Sequence, residues 1–304
     1  MTLENATGGR GDDVLNGNDA ANVLSGGGGD DVLQGFGGAD TFRGNGGIDT
    51  VTYAASTAGV TALSWRAGAG GDAEGDTYSS IENFIGSAFE DTLGGNSAVN
   101  RLEGGDGDDI LLGRGGADVL IGGAGSDTVS YIHSTERVTV RLRDGGLNQY
   151  GEAEGDVFDS IENVIGGAYN DALIGSSDDN ALEGRGGGDF LHGASGDDLI
   201  DGGSGYDKLI GGDGDDTLTG GTGSDTFIFA GASGADVITD FQAGSVLSDV
   251  IQLDPSRFSD FADVLAHTSD DGAGNTVIDA GGGNTITILG VTTAQFAAND
   301  FLLE

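Results

Sequence analysis

The chain has no cysteine, one proline, one methionine and one tryptophan in 304 residues. Without cysteine there is no disulfide framework and no thiolate to hold a soft metal. Basic residues are scarce. Eleven Lys and Arg stand against fifty-one Asp and Glu, a formal net charge of −40, and Lys208 is the only lysine. Such a surface repels phosphate backbones and anionic lipid, which argues against nucleic acid and anionic membrane as partners. No run of eighteen apolar residues occurs, so no transmembrane segment is expected. The opening Met1-Thr2-Leu3-Glu4-Asn5 lacks the basic and apolar regions of an N-terminal signal peptide. His133, His192 and His267 are far apart and at no metal-ligand spacing. No GxSxG, HExxH or P-loop pattern is present. Paired carboxylates abound, but their regular spacing explains them better than glycosidase chemistry does. The expectation is a protein that is not an enzyme.

Glycine is abundant, 62 residues of 304, about three times the usual share. It recurs in a nine-residue pattern, Gly-Gly-x-Gly-x-Asp-x-(Leu/Ile/Phe)-x. Residues 193–228 read GASGDDLID, GGSGYDKLI, GGDGDDTLT, GGTGSDTFI, with Ala194 replacing one glycine. A short fixed period marks a repeat architecture. The glycines demand a tight turn. The Asp-x-Leu-x tail is too short for a helix and alternates as a half-buried strand does. A turn and a three-residue strand make half a coil, so eighteen residues make one.

The sixth positions fall in three blocks. A first block, about residues 8–53, has Asp13, Asn22, Asp31, Asp40 and Asp49. A second, about 86–131, has Asp91, Asn100, Asp109, Asp118 and Asp127. A third, 166–229, has Asp171, Asn180, Asp189, Asp198, Asp207, Asp216 and Asp225. Two places after each comes an apolar residue, from Leu15, Leu24 and Leu33 to Leu218 and Phe227. These are the expected core.

Carboxylates stacked about 4.8 Å apart on neighbouring coils repel strongly. The sequence offers almost no cation to separate them, so a hard divalent ion is the natural answer. Calcium accepts irregular sets of carboxylate and carbonyl oxygens, magnesium wants a stricter octahedron, and zinc wants His or Cys. All seventeen sixth-position residues are therefore expected metal ligands, weaker where they are Asn. With this charge and glycine content the metal-free chain is expected to be expanded, so that calcium and folding are coupled.

At these residues the chain resembles the RTX (repeats-in-toxin, hemolysin-type calcium-binding) family. The resemblance implies an all-β fold, a right-handed parallel β-roll or β-helix solenoid with roughly ten calcium ions between its turns. It implies secretion, with calcium outside the cell filling sites that cytosolic calcium would leave empty. The tail, residues 299–304, resembles the uncleaved C-terminal signal read by type I secretion machinery. The family's catalytic domains lie upstream of the roll, and no such domain is recognised here.

Two interruptions, residues 54–80 and 132–160, break the period and resemble each other. Tyr53 recurs as Tyr131 and Ile81 as Ile161, with a two-residue difference between the copies. Both are expected to be wider coils of the same roll. Asp72, Glu74 and Asp76, matched by Glu152, Glu154 and Asp156, are either further calcium ligands or a solvated acidic loop. Residues 230–304 thin in glycine, carry Pro255 and several Phe, and are expected to form a β-rich C-terminal cap with the secretion signal. One strand is basic: Arg137, Thr139, Arg141 and Arg143 alternate with Val138, Val140 and Leu142. It suits an extracellular acidic polysaccharide, the alternative being pairing with nearby carboxylates. The leading expectation is a secreted protein whose folding is driven by calcium; the other is an adhesion or polysaccharide-binding module on the same scaffold.

Overall fold

The computed structural model describes residues 5–143, 147–229, 231, 234–244 and 248–303. Residues 1–4 of the opening, 144–146 of the second interruption and Glu304 of the expected secretion tail lie outside the described residues. By its internal packing the chain forms two compact units: Met1–Tyr131 with Gly151–Ile161, and Ile132–Tyr150 with Glu162–Glu304.

In both units the strands are short because each nonapeptide supplies only its Asp-x-U-x tail. Val32–Gln34 and Ala172–Ile174 show the result, a buried middle residue between two half-buried ones. Side chains alternate across a strand, so one apolar residue per unit points inward. The strands pair in parallel with a step of eighteen residues. Leu15 faces Leu33, Leu24 faces Phe42, Leu191 faces Leu209 and Ile200 faces Leu218. Like residues thus stack on like, and Leu33, Phe42, Leu111, Leu209 and Leu218 are wholly buried. Leu15 is only half-buried, because among the described residues its strand pairs on one side alone.

Among the described residues, the first unit contributes parallel strands to three sheets. One ends when Thr77–Ser79 of the first interruption pairs with Thr41–Gly46. A second runs from Val14–Asn16 to Val157–Asp159 of the second interruption, which pairs with Val119–Ala124. A third begins with Thr61–Leu63, which pairs with Thr92–Gly94. The first interruption thus closes one sheet and opens another, and both its strands stack on repeat strands.

In the second unit one sheet starts at Thr139–Arg141 and passes through Ala172–Ile174, Phe190–Ser195, Lys208–Asp213 and Thr226–Phe229. It continues past the last glycine repeat into Val250–Leu253 and Phe301–Leu303. Opposite it, Ala235–Ile238 and Asn284–Ile288 extend the row of Leu199–Asp201 and Thr217–Thr219. An antiparallel hairpin, Thr276–Gly281 with Asn284–Ile288, and the strand Thr268–Asp270 complete that sheet. The region expected to be a β-rich cap also contains, among its described residues, one short α-helix, Phe261–Ala266, whose first turn is capped by the Asp260 carboxylate accepting from the Asp263 N–H. Among the described residues no helix is long and apolar enough to cross a membrane.

The alternation gives a direct test within one strand. Ile200 is wholly buried and its neighbour Leu199 is 54% exposed. In the calcium-saturated chain, Ile200→Ala should cost about 2–5 kcal/mol in urea unfolding, and Leu199→Ala no more than about 0.5 kcal/mol.

Candidate metal centres

The sixth-position side chains lie where coil stacks on coil. One carboxylate oxygen of each is fixed by the backbone. The N–H of Asp31 donates to Asp49 Oδ1 at 2.9 Å, that of Asp91 to Asp109 at 2.8 Å, that of Asp189 to Asp207 at 2.7 Å and that of Asp198 to Asp216 at 2.9 Å. Each such bond spans eighteen residues. It locks the carboxylate to the coil before it, so an unbroken row of aspartates follows from the register.

The second oxygen divides the positions into kinds. In the first unit of every block it is taken by an N–H of its own turn, four residues back; in the second unit the residue is asparagine and that N–H takes its one amide oxygen. Gly167 donates to Asp171 Oδ2 and Ser176 to Asn180 Oδ1, each at 2.7 Å. Gly9, Asn18, Ser87 and Asn96 do the same for Asp13, Asn22, Asp91 and Asn100. In later units the second oxygen is buried without a donor: Oδ2 of Asp31, Asp40 and Asp49 in the first block, of Asp109 and Asp118 in the second, and of Asp189, Asp198, Asp207, Asp216 and Asp225 in the third.

The backbone causes the difference. In those later units the residue at position two has a positive φ, as at Gly27 (118°), Gly105 (124°) and Gly212 (128°). This conformation recurs even where the residue is not glycine: Phe36 (63°), Arg114 (71°), Arg185 (73°) and Ala194 (90°). The left-handed region costs a residue with a side chain about 1–2 kcal/mol, so the turn geometry overrides the local preference there.

Position one explains the other glycine. A Cβ on Gly202 would sit 2.8 Å from Asp207 Oδ2 and 2.8 Å from the carbonyl oxygen of Gly220. On Gly184 it would sit 2.6 Å from both Asp189 Oδ2 and the Gly202 carbonyl oxygen. Carboxylate and carbonyl oxygens therefore converge on a cradle that a methyl group would fill. No donor separates them at these positions, which is the setting of a cation. Among the described residues no group of three or more His, Cys, Asp or Glu is placed to hold a metal ion. The donors on offer are one carboxylate and backbone carbonyls per turn. That set fits a hard, geometrically tolerant ion such as calcium and does not fit zinc.

Electrostatics agrees. Burial, reinforced by the charges of Asp207 and Asp171, pushes the Asp189 carboxyl up to about 8. Burial and neighbouring carboxylates push Asp109, Asp198 and Asp225 up to about 7, and Asp216 up to about 6.

Some members of the rows lie outside the three repeat blocks and are not among the sixth positions read from the sequence. Asp40 N–H donates to Asp76 Oδ1 at 2.7 Å and Asp118 N–H to Asp156 Oδ1 at 2.9 Å. Asp216 N–H donates to Asp236, Asp225 N–H to Asp249, and Asp49 N–H to Glu82 Oε2. A signal was available: each carboxylate lies two places before an inward apolar or aromatic residue, as in Asp236-Val237-Ile238. Among the described acidic residues of the interruptions, Asp76 and Asp156 are the buried ones, while Glu74 and Glu154 are exposed. The second oxygens of Asp76 and Asp156 accept from the hydroxyls of Tyr53 and Tyr131, each at 2.7 Å.

The sequence pattern of the RTX calcium-binding nonapeptide repeat matches residues 4–33, 16–51, 94–129, 158–191 and 192–227. No curated protein matches the chain. Among solved structures, the crystal structure of the extracellular lipase LipA from Serratia marcescens is similar at 21% identity with a TM-score of 0.25, over 75% of this chain. The chain spans 41% of the length of that lipase.

The raised carboxyls fix a pH dependence for the metal-free chain. Folded, these groups keep their protons to about pH 6–8, whereas unfolded they lose them near the ordinary value of 3.8. The folded state then holds more protons across that window, and its stability falls as pH rises through it. In calcium-free buffer the far-ultraviolet β signal should grow on going from pH 8 to pH 5; a signal that shrinks on acidification contradicts the assignment.

Proposed function

This chain belongs to the RTX calcium-binding nonapeptide repeat family, and from that premise we propose that it is a secreted protein whose folding is driven by calcium held between its stacked turns. The observation that carries the reading is the row of buried Oδ2 atoms that no donor reaches, joined at Asp109, Asp189, Asp198 and Asp207 by a carbonyl oxygen beside the same position-one glycine. Bound there, calcium supplies positive charge where carboxylate and carbonyl oxygens meet. The aspartates hold it through Oδ2 while Oδ1 stays on the backbone of the previous coil. The position-one glycines leave the space, and the apolar position-eight residues fix the stacking.

In this reading residues 1–229 are the roll, in blocks 8–53, 86–131 and 166–229 with the two duplicated inserts between them. Residues 230–304 are its cap and carry the signal for type I secretion. An expanded chain inside the cell stays threadable, and extracellular calcium closes it outside. The scaffold has no catalytic role.

A second reading, an extracellular module that binds an acidic polysaccharide, is favoured by one feature of the second unit. The arginines of the basic strand have no carboxylate partner among the described residues. Arg141 Nη1 donates to the Leu147 carbonyl at 2.9 Å, and the Arg137 guanidinium lies 4.2 Å from the centre of the Tyr150 ring. Arg141 is in register with Ile174 and His192, and Phe190 with Lys208, so basic and apolar side chains share one sheet face.

Equilibrium dialysis tests the first reading: the chain should retain several calcium ions and no comparable magnesium, and retention of none would sink it. The second predicts that a polyuronate binds the calcium-loaded chain and that the double variant Arg141→Ala, Arg143→Ala weakens it at least tenfold. Unchanged or absent binding removes that reading and leaves the first intact.

A further inference from the structure

The partner of the second carboxylate oxygen sorts the ladder positions more finely than the repeat does. It is a turn N–H at the first unit of each block, where the second unit's asparagine gives its one oxygen to the same kind of N–H; a tyrosine hydroxyl at Asp76 and Asp156; and no donor at Asp31, Asp40, Asp49, Asp109, Asp118, Asp189, Asp198, Asp207, Asp216 and Asp225. We infer that calcium occupies only the positions of the last kind, so that each ladder begins on self-satisfied turns and two ladders end on tyrosines instead of on metal. This map rests on the calcium reading above and adds which aspartates take part in it.

The tyrosines make the argument concrete. Tyr53 and Tyr131 follow Gly44 and Gly122 by nine residues, so they stand at position one, the slot glycine keeps open elsewhere. Tyr53 is 2% exposed and Tyr131 is wholly buried. Each hydroxyl reaches the ladder carboxylate that the following insert contributes. The residue that opens a cradle for a cation is thus replaced by one that supplies a proton donor to the same kind of oxygen. The first lock has an additional partner, Tyr78, whose hydroxyl is 2.6 Å from that of Tyr53. The second has Phe158 at the matching position, so the shared element is the tyrosine–aspartate bond alone.

The turn-capped positions follow the same logic. Asp171 accepts from Val138 N–H and Gly167 N–H, each at 2.7 Å, so both its oxygens are satisfied by backbone. A cation there would have to displace a donor, whereas at Asp189 it would meet an oxygen that has none. The left-handed position-two residue is the structural mark of the metal-taking turn. Where that residue is left-handed, its N–H makes no bond to the carboxylate.

The test is a count of calcium ions per chain by equilibrium dialysis, with circular dichroism in saturating calcium to confirm folding. Asp171→Asn and Asp156→Asn should keep the wild-type count. Asp189→Asn and Asp109→Asn should each lose bound calcium. Loss of calcium from folded Asp171→Asn or Asp156→Asn overturns the map, as does an unchanged count in both Asp189→Asn and Asp109→Asn. Failure of Asp171→Asn or Asp156→Asn to fold in saturating calcium also counts against it, because Asn already serves at ladder positions Asn22, Asn100 and Asn180. If the wild-type chain binds no calcium at all, the calcium reading itself fails and the map falls with it.

Discussion

A buried carboxylate oxygen that no hydrogen-bond donor reaches is the constraint on which the rest depends. Asp207, Asp216 and Asp225 are each 1% exposed, so solvent cannot satisfy it. An unpaired charge in such a place costs several kcal/mol. Two remedies exist. A proton can neutralise the oxygen, which is why these carboxyls are pushed up toward 6–8, or a cation can lie between the oxygens. In the proposed function that cation is calcium, which would relieve one coil and tie it to the next.

Everything else in the repeat serves that contact. Position-one glycine leaves the space, position two turns left-handed to withdraw its N–H, and position eight supplies the apolar stack that sets the coil spacing. The strain at Phe36, Arg114, Arg185 and Ala194 shows the turn imposing its shape on unsuitable residues. Where the constraint is not wanted, the chain answers it with its own donors. Turn N–H groups do so at the starts of blocks, and Tyr53 and Tyr131 do so where the inserts contribute Asp76 and Asp156.

Much of this was legible because the period is strict. Leu33 and Leu209 are core because within each block every ninth residue is apolar, counted from Leu15 in the first and from Leu173 in the third, and a repeat that turns so regularly leaves parallel stacking as its consistent solution. The seventeen sixth positions were equally visible. Their division into kinds was not, because it lies in a backbone dihedral. Glycine occupies position two both in the capped turn of Gly9 and in the left-handed turn of Gly27. Asp236 and Asp249 were hidden for a different reason: Gly231 and Gly234 announce a turn before Asp236 as Gly193 and Gly196 do before Asp198, but it comes eleven residues after Asp225 instead of nine, and before Asp249 only Gly244 is left, although the ladder continues. The helix Phe261–Ala266 is a local event set by the Asp260 cap and carries no period at all.

The most direct measurement of the central claim is far-ultraviolet circular dichroism during a calcium titration from a calcium-free start at neutral pH, with magnesium as control. The account predicts a cooperative rise in β signal with calcium and none with magnesium over the same range. A chain already fully folded without calcium, or folding equally well with magnesium, would contradict it.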